Sequence, residues 1–193
     1  MSLTPDSRLS TPDFFIIPGL GNSGPHHWQT WFEKRLDNCK RIEQTEWDAP
    51  DREDWVNTIN NTLKDIDTSN VILIGHSLGC ATIAHWAAQT DKKIKGALLV
   101  APSDLEAPAY TFPATGFSPF PLQKLPFKSI VVASENDPWV SMERAKLFAS
   151  SWGSKLIFIG NAGHINADAG FGEWEEGIGI LGELGVGSRE SGA

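Results

Sequence analysis

Residues 71–89, VILIGHSLGCATIAHWAAQ, decide the fold. Four apolar β-formers run into Gly75, Ser77 stands between Gly75 and Gly79, and a helix-compatible stretch follows. A buried strand that merely needs to turn gains nothing from a hydroxyl at its tip. Gly75-His76-Ser77-Leu78-Gly79 fits G-x-S-x-G, and its setting between a strand and a helix is what a nucleophile elbow requires: a tight turn that exposes the serine hydroxyl. The helix start behind it offers free N–H groups where an oxyanion would develop. Ser77 is therefore the candidate nucleophile; the plainer alternative is that it only caps the helix.

Working outward, apolar β-type runs recur with helical segments between them. DFFIIPG precedes HHWQTWFEKRL, KRIEQTEW precedes DREDWVNTINNTLKDI, and IKGALLVAP and FKSIVVASEND lead to SMERAKLFASSW, KLIFIG and FGEWEEGIGILGEL. About six strands alternating with helices predict a compact three-layer α/β sandwich with a mostly parallel sheet, buried on both faces. Asp51 and Ser141 carry helix-start signals. Residues 101–126, rich in proline and aromatics, are too irregular for a regular element and too apolar for a free linker. They read either as a packed surface loop or as a wall of a binding cleft. Residues 1–12 and 185–193 read as flexible polar tails without a signal-type apolar core, leaving 13–184 as a single domain.

At 193 residues with 40% hydrophobic and 21% charged content, the chain suits one soluble domain, expected in the cytoplasm. No apolar run reaches the roughly 18 to 20 residues of a membrane span. Net charge is −8 and basic runs are missing, which disfavours nucleic acid. Two cysteines, Cys39 and Cys80, make no disulfide framework, and no cluster has metal-ligand spacing. The stretch GLGNSG lacks the GK[ST] of a phosphate cradle and a proper dinucleotide fingerprint. No cofactor or metal is expected.

A serine hydroxyl needs a base, and the base needs an acceptor that fixes its tautomer. Five histidines compete. His76 is expected to point away from Ser77, His85 to be a satisfied core residue, and His26 and His27 precede the nucleophile. His164, on a glycine-flanked loop after the last strand, alone satisfies the chain order Ser, acid, His. Asp137 stands just past the fifth strand and is the preferred acid; Asp104, Asp168 and Glu135 are rivals. Oxyanion donors are expected from the N–H groups of Leu78 and, in the loop PGLGNSG, Leu20. Trp139, Trp28 and His27 are expected near the substrate, with plain packing as their alternative role.

PGLGNSGPHHWQTWFE, GHSLGCATIAHW, SENDPWV and GHINADAGFGEWEEG, in this order from Phe14 to about Gly177, resemble the small serine hydrolases that include retinoblastoma-binding protein 9 and the bacterial YdeN-like proteins. The resemblance implies an α/β-hydrolase fold without a large cap domain and the triad Ser77, Asp137 and His164. The expected activity is cleavage of a small carboxylic ester or an amide through an acyl-serine. Two alternatives stay open: a protein-interaction module on a hydrolase scaffold, with an unidentified protein partner, and an acyltransferase using the same groups.

Overall fold

The computed structural model describes residues 11–185. Its centre is a six-stranded sheet made of β1 (Asp13–Ile17), β2 (Cys39–Arg41), β3 (Val71–His76), β4 (Gly96–Val100), β5 (Lys128–Ala133) and β6 (Lys155–Phe158). The spatial order is β2-β1-β3-β4-β5-β6, and every pairing is parallel. Helices α1 (Trp28–Arg35), α2 (Arg52–Leu63), α3 (Leu78–Ala87), α4 (Met142–Trp152) and α5 (Glu175–Gly182) cover the two faces. Among the described residues, no helix is long and apolar enough to cross a membrane.

Side chains on a strand alternate between faces, so each continuous apolar run feeds two cores. Phe15, Ile17, Leu73, Leu99, Val131 and Ala133 join residues of α2, α3 and α4. Their neighbours Phe14, Ile16, Ile72, Ile74, Val100 and Val132 join residues of α1 and α5. Asp51 caps α2 by accepting from the N–H groups of Glu53 and Asp54, and Ser141 caps α4 by accepting from Arg144, as their positions signal.

The second strand is shorter than KRIEQTEW suggests. After Arg41 the chain leaves the sheet edge and packs under α2, where the Trp55 indole donates to the Glu46 carbonyl and Trp47 meets Trp55 edge to face at 5.6 Å. This path buries Trp55 fully and Trp47 in part. Residues 101–126 form no regular element, yet Phe117 is fully buried and Phe120 stacks on Phe148 at 4.5 Å.

Chain direction across the sheet reverses between β1 and β3, because β1 leads outward to β2 while β3 leads the other way to β4. The crevice beyond the carboxyl ends of two such strands is where open α/β sheets place ligands. Here those ends carry PGLG and the Ser77 turn.

Candidate active site

Ser77 has φ 54° and ψ −122°, a conformation an L-residue adopts at a cost of about 1–3 kcal/mol and only when its surroundings enforce it. The enforcement is visible. A Cβ at Gly79 would lie 2.1 Å from the Ile17 carbonyl oxygen, so α3 sits against the end of β1 only because that position is bare. A Cβ at Gly19 would lie 2.8 Å from Ser77 Cβ, so the loop after β1 runs directly over the serine.

Ser77 and His164 border one cavity of about 250 Å³ at the β1/β3 crevice. His164 enters from the loop after β6, and its Nδ1 lies 3.0 and 2.9 Å from Oδ1 and Oδ2 of Asp137, whose side chain is fully buried. The Trp139 N–H also donates to Asp137 Oδ1, at 2.9 Å. The two loops are laced together: the N–H of Ala162 donates to Ser134 Oγ and that of Gly163 to Asn136 Oδ1. Ser77 Oγ itself is hydrogen-bonded to Ser103 Oγ, at 2.8 Å, and not to His164. Contacts of this kind often tighten only around a bound substrate.

The rival acids are engaged or distant. Asp104 is bound by Arg144 through Nε and Nη2, both at 2.8 Å, and Arg144 also reaches Glu106. Asp168 and Glu135 are exposed and make no bond to His164.

His76, expected to point away from Ser77, nonetheless belongs to the site. Its ring borders the same cavity, lies 4.9 Å from the His164 ring, and its Nε2 is 2.9 Å from the His164 carbonyl oxygen. His76 keeps the alternation of β3, on the face of Ile72 and Ile74, and meets Trp28 of α1 at 5.9 Å where that face opens into the cavity. His85 bonds the Phe117 carbonyl inside the core. His27 and Trp139 line the cavity. Trp28 does not: it is fully buried and its indole donates to the Ile165 carbonyl at 2.8 Å, packed among Phe32 and Trp174.

Leu78 begins α3, so its N–H has no intrahelical acceptor. In the loop after β1, the Gly21 N–H is taken by Trp47 and the Asn22 N–H by Gly19, which leaves the N–H groups of Gly19 and Leu20, both on the cavity wall, without an acceptor among the described residues. Sequence reasoning missed what holds this loop. Arg41 Nη1 donates to Asn22 Oδ1 and to the Ser23 carbonyl, while its Nη2 reaches Thr30 and Glu33. Buried Gln29 accepts from Ser23 Oγ and donates to the carbonyls of Ile17 and Ile74, tying the loop to both strand ends. Ser103, Tyr110 and Phe112 were also missed; all three line the cavity, with Phe112 edge-on to Trp139 at 4.9 Å.

Burial, aided by the charges of Arg41 and His164, lowers the His27 pKa to about 4. Burial, then His164 and His27, holds His76 well below the ordinary histidine range. Burial also keeps the Cys80 thiol, directly behind the elbow, protonated, and pushes Cys39 up to about 12. Among the described residues no group of three or more His, Cys, Asp or Glu side chains could hold a metal ion.

The family model for serine hydrolases matches residues 14–183. The chain belongs to the serine hydrolase family. It is similar to a protein of Pectobacterium atrosepticum described as a YdeN-like hydrolase, with 37% identity over 89% of each chain and a TM-score of 0.79. The ydeN gene product of B. subtilis shares the fold, with TM-score 0.77 and 24% identity over 92% of this chain and all of that one. So does Est1E of Butyrivibrio proteoclasticus, with TM-score 0.65 and 15% identity over 91% and 90% of the two chains. No curated protein matches the chain. This serine hydrolase is thus of the small YdeN-like type, an α/β hydrolase with its sheet and helices in one compact unit.

Proposed function

We propose that the protein hydrolyses a small carboxylic ester through an acyl-Ser77 intermediate. One observation carries this: His164 Nδ1 is bound to a fully buried Asp137 carboxylate while the same imidazole shares a small cavity with Ser77 at the crevice of the sheet. The Asp137 bond makes Nδ1 the protonated nitrogen of the neutral ring and leaves Nε2 as the base. Ser77 Oγ turns from Ser103 to His164, gives up its proton to Nε2, and attacks the ester carbonyl. The oxyanion faces the N–H groups of Leu20 and Leu78, preorganised donors that need no rearrangement as charge develops. The imidazolium, supported by Asp137, protonates the leaving alcohol. Water, activated by the same nitrogen, then releases the acid and restores Ser77.

The cavity is small, and His27 and Trp139 on its wall are assigned contact with the substrate. The organic parts needed for these steps are all side chains and backbone of the chain.

A fluorophosphonate probe tests the assignment. Covalent labelling at Ser77, lost in Ser77→Ala, together with loss of p-nitrophenyl acetate turnover in a variant with unchanged circular dichroism, is the expected result. Unchanged turnover in Ser77→Ala removes Ser77 as nucleophile. A folded wild-type protein that takes no label points instead to a binding module on a hydrolase scaffold.

A further inference from the structure

Two histidines on the cavity wall have no part in proton transfer as described, and the structure constrains where each carries its proton. His27 Nδ1 accepts the backbone N–H of Gln29 at 3.1 Å, so the neutral ring bears its hydrogen on Nε2. His76 Nε2 lies 2.9 Å from the His164 carbonyl oxygen. A carbonyl only accepts, so His76 also bears Nε2–H, and its Nδ1 is a bare lone pair. The remaining nitrogens, a donor on His27 and an acceptor on His76, have no hydrogen-bond partner among the described residues and each keeps some exposure, on two residues that both line the cavity. The rings meet edge to face with centroids 4.7 Å apart, close enough for one small polar group to contact both. Both are uncharged at neutral pH, because burial disfavours the imidazolium at each.

We infer that His27 and His76 form a specificity site that selects a hydroxyl group on a short acyl chain. Resting on the ester-hydrolase function above, this names the class of ester: a hydroxyacyl ester. A hydroxyl oxygen accepts from His27 Nε2–H while its proton goes to His76 Nδ1, so one atom satisfies both groups. A carboxylate would face the His76 lone pair, and an ammonium would face the His27 N–H. A plain alkyl chain would leave two polar groups desolvated and unmet, which is the arrangement that gives strong discrimination against an analogue lacking the hydroxyl. The cavity of about 250 Å³ keeps the acyl chain short.

The test compares ethyl 2-hydroxypropanoate with ethyl propanoate and ethyl 3-hydroxybutanoate with ethyl butanoate, each rate divided by its hydroxide-catalysed rate. At least one hydroxylated ester is expected to show a kcat/KM about tenfold or more above its parent. That ratio should fall to within about threefold of unity in His27→Phe and recover in part in His27→Gln, whose amide keeps a donor. Nitrogen-15 NMR of the histidine rings at pH 7 is expected to find both neutral with the proton on Nε2, a result independent of any variant's folding. Ratios near unity in the wild type, a ratio unaffected in His27→Phe, or a proton on Nδ1 of either ring overturns the inference. If fluorophosphonate labels Ser77 while the ratios are flat, this inference falls and the hydrolase function stands. If Ser77 takes no label, both fall.

Discussion

The two sides of the crevice are built by different means. On the β1/β3 side, the loop of Gly19 to Ser23 is pressed onto a strained serine by bare glycine contacts and held from behind by Arg41 and Gln29, side chains that never touch the cavity centre. On the β5/β6 side, Ser134, Asn136 and Asp137 hold the base loop directly, through short side-chain bonds to the backbone of residues 162 and 163 and to the His164 ring. On the first side close packing meets the serine and the hydrogen bonds lie behind the loop, while on the second the hydrogen bonds hold the base loop itself. The first should fail when volume is added, the second when an acceptor is lost.

The largest effect is expected from the hydrogen-bonded side. Asp137→Asn keeps the shape but offers an amide where His164 needs a carboxylate, so kcat for p-nitrophenyl acetate should fall by about 10⁴-fold. Asp104→Asn breaks the Arg144 pair, outside the site, and should leave kcat within about threefold while lowering Tm by thermal unfolding. The reverse ranking would move the acid role to Asp104.

Adding volume on the other side comes next. Gly19→Ala places a methyl group 2.8 Å from Ser77 Cβ, which forces the loop away and carries the Leu20 N–H with it. A kcat loss of about 10²-fold, the usual result of losing one oxyanion donor, is expected with little change in KM. Activity within twofold of wild type would show that the loop yields freely and that the packing contrast is wrong.

The smallest effect is on stability. His27 has a folded-state pKa of about 4 against an ordinary 6.5. Between these values the unfolded chain binds a proton that the folded chain does not, so stability is full above about pH 6.5 and falls as pH drops toward 4. The loss amounts to about 3 kcal/mol at its limit, and buried His76 acts in the same direction. Urea unfolding at pH 7 and pH 5 should show the decline, and His27→Gln should reduce it; equal declines in the two proteins would remove His27 from the acid response.

Legibility followed sequence distance. The elbow was readable because strand, turn and helix lie within 19 consecutive residues, and the four inner strands because each is a nearly continuous buried run. Asp137 and His164 could be nominated by chain order and strand ends. Ser103, Arg41 and Gln29 could not, since their decisive partners are 26, 19 and 45 residues away and nothing in a lone serine, arginine or glutamine announces them. Trp28 and His27 are adjacent at the end of the loop after β1, yet only His27 lines the cavity; a helix turns about 100° per residue, and which face meets the core is a packing outcome.

By itself, the order of apolar and polar residues determined the alternation of strands and helices and the placing of a serine on a tight turn, because both are set by periodicity and by the few residues a turn tolerates. The tertiary structure alone decided how side chains surround that serine: the order of strands in the sheet sets which loops meet at the crevice, and the bond to the His164 carbonyl sets the proton that His76 carries, whereas the proton on His27 follows from a local helix-cap bond.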